Sequence, residues 1–327
     1  MGRMFLKPLL PFVAGLLFAA SFQAVAAEDF LPVYNEAVSF AKNGDYRQAE
    51  AKFRKVVGLN PRYFMAYYNL GVVLLHQNKA DEAKSWFERS TNIDRRSDMA
   101  FFILGTISED QQDRTRAAEY FRRSLSVRSN NTESLKHLAL LEFQDGNFQS
   151  AEDLYRRALD INPNDATAIF GIASVQWKFY NNTAAAVDGY KKALQLKPGD
   201  WRSWMNLGLV YAYSDMYDEA IPAYRKVIEL NPDYAEAYYD LANACRYRGD
   251  YETMETNYLE AIRLRPEFKE PVYNLACYFS SIRKDKRNAL EWLKKAVALD
   301  PGLKAKAAKD KDFMFLSNDR DFQNIIR

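Results

Sequence analysis

The sequence predicts an all-α solenoid, a run of similar helix pairs stacked on one another. Three observations carry this. Prolines recur at a near-constant step, at Pro61, Pro163, Pro198, Pro232, Pro266 and Pro301; the gaps are 34 or 35 residues, after a first gap of 102 that holds three such steps. Self-similarity at that period belongs to stacked repeats rather than to a single globular core. Between the prolines, apolar residues fall at three- and four-residue steps, the spacing of one helix face. A small residue followed four positions later by an aromatic recurs in phase: Ala49 and Phe53, Ala83 and Phe87, Ala117 and Phe121, Ala151 and Tyr155, Ala186 and Tyr190, Ala220 and Tyr224. Met254 with Tyr258 and Ala289 with Leu293 vary the pair.

The chain opens outside this period. Arg3 and Lys7 give a basic start, Leu9 to Phe22 is apolar except at Pro11, Gly15 and Ser21, and Ala24-Val25-Ala26-Ala27 supplies small residues at peptidase spacing. Residues 1–27 therefore predict a cleaved secretory signal. The apolar run of about 14 residues is shorter than the roughly 20 that span a bilayer as a helix. Export to the bacterial periplasm is the expectation; anchoring by an uncleaved N-terminal segment is the alternative.

Each repeat then begins with a helix of related sequence. Examples are Tyr67-Tyr68-Asn69-Leu70-Gly71, Trp204-Met205-Asn206-Leu207-Gly208, Tyr238-Tyr239-Asp240-Leu241-Ala242 and Val272-Tyr273-Asn274-Leu275-Ala276. A turn follows, marked by Gly44-Asp45, Gly146-Asn147 and Gly249-Asp250, where a tight reversal needs a residue tolerant of positive φ. The second helix carries the small and aromatic pair. Small residues near Gly71 and Ala83 let the two helices approach closely, and the proline after the second helix forbids its continuation.

This pattern resembles the tetratricopeptide repeat. Counted by phase there are eight units: 30–63, 64–97, 98–131, 132–165, 166–200, 201–234, 235–268 and 269–303. Arg95 and Ser129 stand where two units would carry proline, and one extra residue enters near Asn181-Asn182 and near Arg283 to Lys286. Ala139 and Glu142 replace the usual Gly and Tyr of the fourth unit. The resemblance implies a right-handed α-solenoid of about eight helix pairs. Residues 304–327 leave the period; Phe313, Leu316, Phe322, Ile325 and Ile326 predict one or two short helices capping the open end.

Charge and chemistry narrow the function. The leader holds two of the 45 Lys and Arg, so the remainder carries 43 bases against 43 acids. That balance argues against nucleic acid and against electrostatic attachment to a membrane; contact with a membrane is expected only through the N-terminal segment, if uncleaved. Cys245 and Cys277 lie on first helices of adjacent units. Stacked helices stand about 8–10 Å apart and a disulfide needs Cα atoms within about 7 Å, so two free thiols are expected, Cys245 in the core and Cys277 on the inner surface. His76 and His137 sit in different units. There is no His-Glu-x-x-His helix, nucleophile elbow or phosphate loop, and two lone His with two lone Cys make no metal site by spacing. No enzyme activity, cofactor or metal is expected.

The resemblance implies instead that the first helices line a concave groove that binds an extended peptide or a helix of a protein partner. Tyr34, Met65, Tyr68, Phe102, Phe170, Trp177, Met205, Tyr213, Tyr239, Tyr247 and Tyr273 fall on its steps, and such side chains favour interface cores. Asn35, Asn69, Asn206 and Asn274 share one further step, with Asp240 in the same place. Side-chain amides there can bond a peptide backbone without reading its sequence, an arrangement similar to the asparagine ladder of protein O-GlcNAc transferase repeats. Ile103, His137 and Gly171 interrupt it. The Lys and Arg of a carboxylate clamp are missing, so an acidic chain end is not expected. The expected function is a non-enzymatic scaffold or adaptor of the cell envelope. The alternative is an envelope assembly factor that takes acyl chains in the same groove.

Overall fold

The computed structural model describes residues 30–327. The expected signal peptide at 1–27 lies outside the described residues. Among these every regular element is helical, with no strand. The chain divides into two compact units, one ending at Pro163 and the other running from Asn164 to Arg327.

In the first unit four hairpins follow one another: α1 (Phe30–Lys42) with α2 (Tyr46–Leu59), α3 (Phe64–His76) with α4 (Ala80–Ile93), α5 (Asp98–Asp110) with α6 (Arg114–Val127), and α7 (Thr132–Gln144) with α8 (Phe148–Ile161). The second helices α2, α4 and α6 also pack on the first helix of the next hairpin. This explains a difference in burial: ten residues of α3 are buried, against four of α4. A first helix is covered by its partner and by its neighbours, whereas a second helix needs only one apolar stripe.

The stripe is the small and aromatic pair. Phe53, Phe87 and Phe121 are wholly buried, each ring removing enough apolar surface for about 2–3 kcal/mol. The small residue opposite is set by contact: a Cβ added at Gly105 would lie 2.5 Å from the Phe121 ring, so α5 and α6 approach as closely as they do only because that position has no side chain. Second helices end where the sequence predicts. Asn60 leaves helical geometry just before Pro61, for example, with its N–H still bonded to Val56 O.

The second unit repeats the plan with α9 (Ala166–Lys178) and α10 (Thr183–Leu196), α11 (Trp201–Tyr213) and α12 (Tyr217–Leu230), α13 (Ala235–Arg248) and α14 (Tyr251–Leu264), and α15 (Lys269–Ser281) with α16 (Lys286–Leu299). Gly249 ends α13 at φ 77°, the left-handed geometry expected of that turn. Here the first helices also touch each other, α9 with α11 and α11 with α13, so their side chains meet along one face.

The C-terminal segment is more broken than expected. It consists of α17 (Leu303–Ala307), a 3-10 helix (Lys311–Leu316) and α18 (Arg320–Ile326). Asp310 and Asp319 each accept a backbone N–H at the start of the piece that follows, and such caps restart the chain every few residues. The 3-10 helix packs on α15 and α18 on α16. Phe313, Leu316, Phe322 and Ile325 are buried there and Ile326 is half-buried; these five are the apolar set that marked this segment as a cap.

A candidate protein-binding face with an aromatic cavity

The expected groove residues of the first unit are mostly interior. Tyr34, Tyr68 and Phe102 are buried, Met65 is half-buried and Asn35 is exposed. Tyr34 packs edge-on to Phe53 at 5.8 Å, Tyr68 to Phe87 at 5.5 Å, and Phe102 lies 5.9 Å from Phe121. These rings hold a first helix to its second helix, so in this conformation they are core rather than open contact surface. The physical reason is size: a first helix carrying a large ring at the step facing its partner fills the space left by the small residue there.

The amides differ from the expected ladder in the same way. Asn69 is buried and donates to the Tyr34 hydroxyl at 2.8 Å. Asn206 donates to Arg202 O of its own helix at 2.9 Å. Asn274 donates to the Tyr258 hydroxyl at 3.1 Å and to Asn243 Oδ1 at 3.3 Å. Asn69 and Asn274 join helices and the half-buried Asn206 closes on its own helix, while Asn69 Oδ1 is buried without a hydrogen-bond partner among the described residues.

In the second unit Met205 and Tyr273 lie inside, and Phe170 is half-buried. Phe170 packs at 5.4 Å from Tyr190. Tyr273 is covered by the C-terminal segment: its hydroxyl donates to Asp310 at 2.8 Å and its ring meets Phe313 at 5.9 Å. Cys277 was expected on the inner surface. It is buried instead, with Sγ 3.9 Å from Asp310, because the 3-10 helix covers that face of α15. Both cysteines are free, and burial pushes both thiols up. Cys277, Asp310 and Asp312 lie close enough to hold a cation, but Asp310 accepts from Tyr273 and Asp312 pairs with Arg246 at 3.3 Å, so the trio is the polar seam of the cap.

What remains open is concentrated on α9, α11, α12 and α13. Tyr213 and Tyr247 are each 68 % exposed, while Trp177 and Tyr239 are half-buried. Trp177, Tyr213, Tyr217 and Tyr247 wall a cavity of about 270 Å³ whose one charged lining group is Asp240. Tyr217 and Tyr247 stack at 4.9 Å with an 11° interplanar angle. Tyr217 is steered by its hydroxyl, which donates to Asp215 at 2.7 Å. Burial, reinforced by the like charge of Glu236, pushes the Asp240 carboxyl up to about 7. A second cavity, about 410 Å³ in the first unit, is polar and contains Arg95 and Arg123; Arg123 is already held by Glu119 at 2.6 Å.

Sequence reasoning placed Trp177, Tyr213 and Tyr247 on this face. It did not single out Tyr217, which belongs to a second helix, nor Asp240 as a charged floor. A signal for Asp240 was present: it is the one acid on a step where four of the eight units carry asparagine. His76 and His137 serve packing, His76 stacked on Tyr46 at 4.6 Å and His137 bonded to Glu109 at 2.6 Å.

Helix hairpins at a fixed period, closed by small and aromatic contacts, define a helical-repeat scaffold. Family models described as tetratricopeptide repeat match residues 34–98 and 104–166, 201–234, and 223–256, together more than half of the chain, and the protein belongs to the tetratricopeptide repeat family. Repeats of this family bind protein partners. The chain is similar in fold to a tetratricopeptide repeat protein from Parabacteroides merdae, at 17 % identity and TM-score 0.57, covering 82 % of this chain and 98 % of that one. It is also similar to the C-terminal part of a repeat protein from Cytophaga hutchinsonii, at 18 % identity and TM-score 0.56, covering 76 % and 98 %. A third likeness is to Pseudomonas aeruginosa pilF, at 18 % identity and TM-score 0.55, covering 62 % and 92 %. No curated protein matches the chain.

Proposed function

We propose that this protein is a non-enzymatic scaffold or adaptor of the cell envelope that binds a peptide or helix of a protein partner on the first-helix face of its second unit. The observation that carries the reading is the exposed aromatic set around the α11–α13 cavity. Two tyrosines with two-thirds of their surface in water, beside a half-buried Trp, form the kind of contact patch that a soluble protein otherwise buries. Near-zero net charge supports a protein partner over a nucleic acid. The apolar N-terminal run supports export to the periplasm, by cleavage or by retention as an anchor. No helix among the described residues is long and apolar enough to cross a membrane.

An acyl-chain ligand fits this cavity less well, because methylene groups packed on Asp240 would strip water from a carboxylate and return nothing. Selection of random displayed peptides on the purified protein tests the reading, with binding compared in the Tyr213→Ala/Tyr247→Ala protein. Peptides that bind the native protein and lose at least about ten-fold in affinity to the double variant are expected, since removing two interface aromatics costs more than 1 kcal/mol each. Equal binding by both proteins would refute this face as the site. N-terminal sequencing of the protein recovered from cells tests export and processing.

A further inference from the structure

We infer that the aromatic cavity of the second unit holds a lysine side chain of the bound partner, its stem against Trp177, Tyr213 and Tyr247 and its ammonium at Asp240. This rests on the reading that the face binds a protein partner and names the chemistry that the partner must present.

The first ground is an unanswered charge. Asp240 lines the cavity, and no hydrogen bond or cation among the described residues meets its carboxylate; the charge that couples to it, Glu236, has the same sign. Three neighbouring cations are paired elsewhere, Arg246 on Asp312, Arg248 on Asp218 and Arg265 on Glu236, while Arg202 and Lys178 lie over the Trp201 and Trp177 rings. A half-buried carboxylate without a partner is costly in the free protein and becomes favourable once a cation enters. The step is the one where Asn35, Asn69, Asn206 and Asn274 stand, so Asp240 keeps the amide's shape and adds a negative charge.

The second ground is the wall. Aromatic faces attract cations, most strongly when partly desolvated, and five aromatic side chains line this space. Lys178 already shows the preference, with Nζ 4.8 Å from the Trp177 ring centroid. Lysine fits better than arginine because the lining is poor in acceptors. Asn243 Oδ1, on the same lining, already receives Tyr258 and Asn274. A guanidinium would bring five N–H donors to a single carboxylate, whereas an ammonium brings three on a long apolar stem.

Cation binding and proton release are then coupled. The groups facing Asp240 are Glu236, Tyr234, Tyr239 and Tyr247 beside or on α13, Tyr217 and Tyr224 from α12, and Tyr213 from α11. Burial pushes Tyr224, Tyr234 and Tyr239 up, so they stay neutral and leave Asp240 as the group that titrates on binding.

The probe is n-butylammonium chloride, titrated against the indole resonance of Trp177 as assigned with Trp177→Phe, with n-butanol and ethylguanidinium as comparisons. Saturable binding at about pH 8 is expected, weakened about ten-fold or more in Asp240→Asn and again about ten-fold or more at about pH 5.5, the pH effect vanishing in the variant. Tyr247→Ala, at an exposed position, provides the same weakening independently of Asp240. Equal affinity for n-butanol, tighter binding of ethylguanidinium, or an unchanged affinity in both variants would overturn the assignment. Selected peptides that need Tyr213 and Tyr247 but no lysine would remove the lysine and leave the protein-binding reading. Butylammonium binding without any selectable peptide would do the reverse.

Discussion

Replacing Asp240 by Asn keeps the side chain's shape and removes its charge, and the pH dependence of the result follows from the cavity. Burial and the neighbouring Glu236 raise the Asp240 carboxyl from its ordinary value near 4 to about 7. Below about pH 4 both native and unfolded chains hold the proton. Between about pH 4 and 7 the native protein retains a proton that the unfolded chain has released, so stability falls as pH rises through that window and stays low above it. A displacement of that size is worth about 4 kcal/mol when fully realised. Asp240 is half-buried rather than sealed, and solvent and local relaxation take up part of the penalty, leaving about 2 kcal/mol. Asp240→Asn is therefore expected to be about 2 kcal/mol more stable than the native protein at about pH 8, with the advantage fading to near zero by about pH 4. Urea unfolding followed by circular dichroism across that range measures it. Because repeat arrays open by segments, amide exchange within α13 should show the same trend locally. An advantage that does not change with pH, or a native protein more stable than the variant at about pH 8, would mean that Asp240 has a partner in the folded chain, and the reasoning would fail.

Three further outcomes are expected. Gly105→Ala should destabilise by about 1–2 kcal/mol, because its Cβ would meet the Phe121 ring at 2.5 Å, whereas Gly58→Ala, with nothing near its Cβ, should stabilise by about 0.5 kcal/mol; urea midpoints moving in the same direction would contradict the packing argument. Pro222 lies inside α12 and is exposed, so Pro222→Ala should raise stability by up to about 3 kcal/mol, read as a higher melting temperature. Cys245 and Cys277 are buried with raised thiols, so a thiol reagent near neutral pH should label neither in the native protein and both in urea; rapid native labelling of Cys277 would show that the 3-10 helix does not cover α15.

The fold was legible because its causes are local and repeated. Proline at the end of a helix, glycine at a reversal and a small residue opposite an aromatic each act within one hairpin, and the period multiplies each signal. The candidate site was legible in part. Trp177, Tyr213 and Tyr247 could be placed by phase alone. Phase could not tell which rings are covered, because Tyr68 and Tyr239 share a step although one is buried and the other half-buried. Coverage depends on what the neighbouring hairpin and the cap bring across, as Asp310 and Phe313 bring to Tyr273. The asparagine step was ambiguous for the same reason: an amide expected to face a ligand is equally able to face a tyrosine on the adjoining helix, and Asn69 does.

The sequence by itself determined the helix-pair architecture, the hairpin boundaries near each proline, and the lack of any recognisable catalytic or phosphate-binding motif, since these follow from backbone propensity and the spacing of residues along one chain. The tertiary structure decided which side chains meet water. It turned most of the first unit's expected contact residues into core, sealed Cys277 and Tyr273 under the cap, and left Asp240 unpaired among five aromatic side chains. Exposure is a property of packing between hairpins, and no residue carries that information in its position along the repeat.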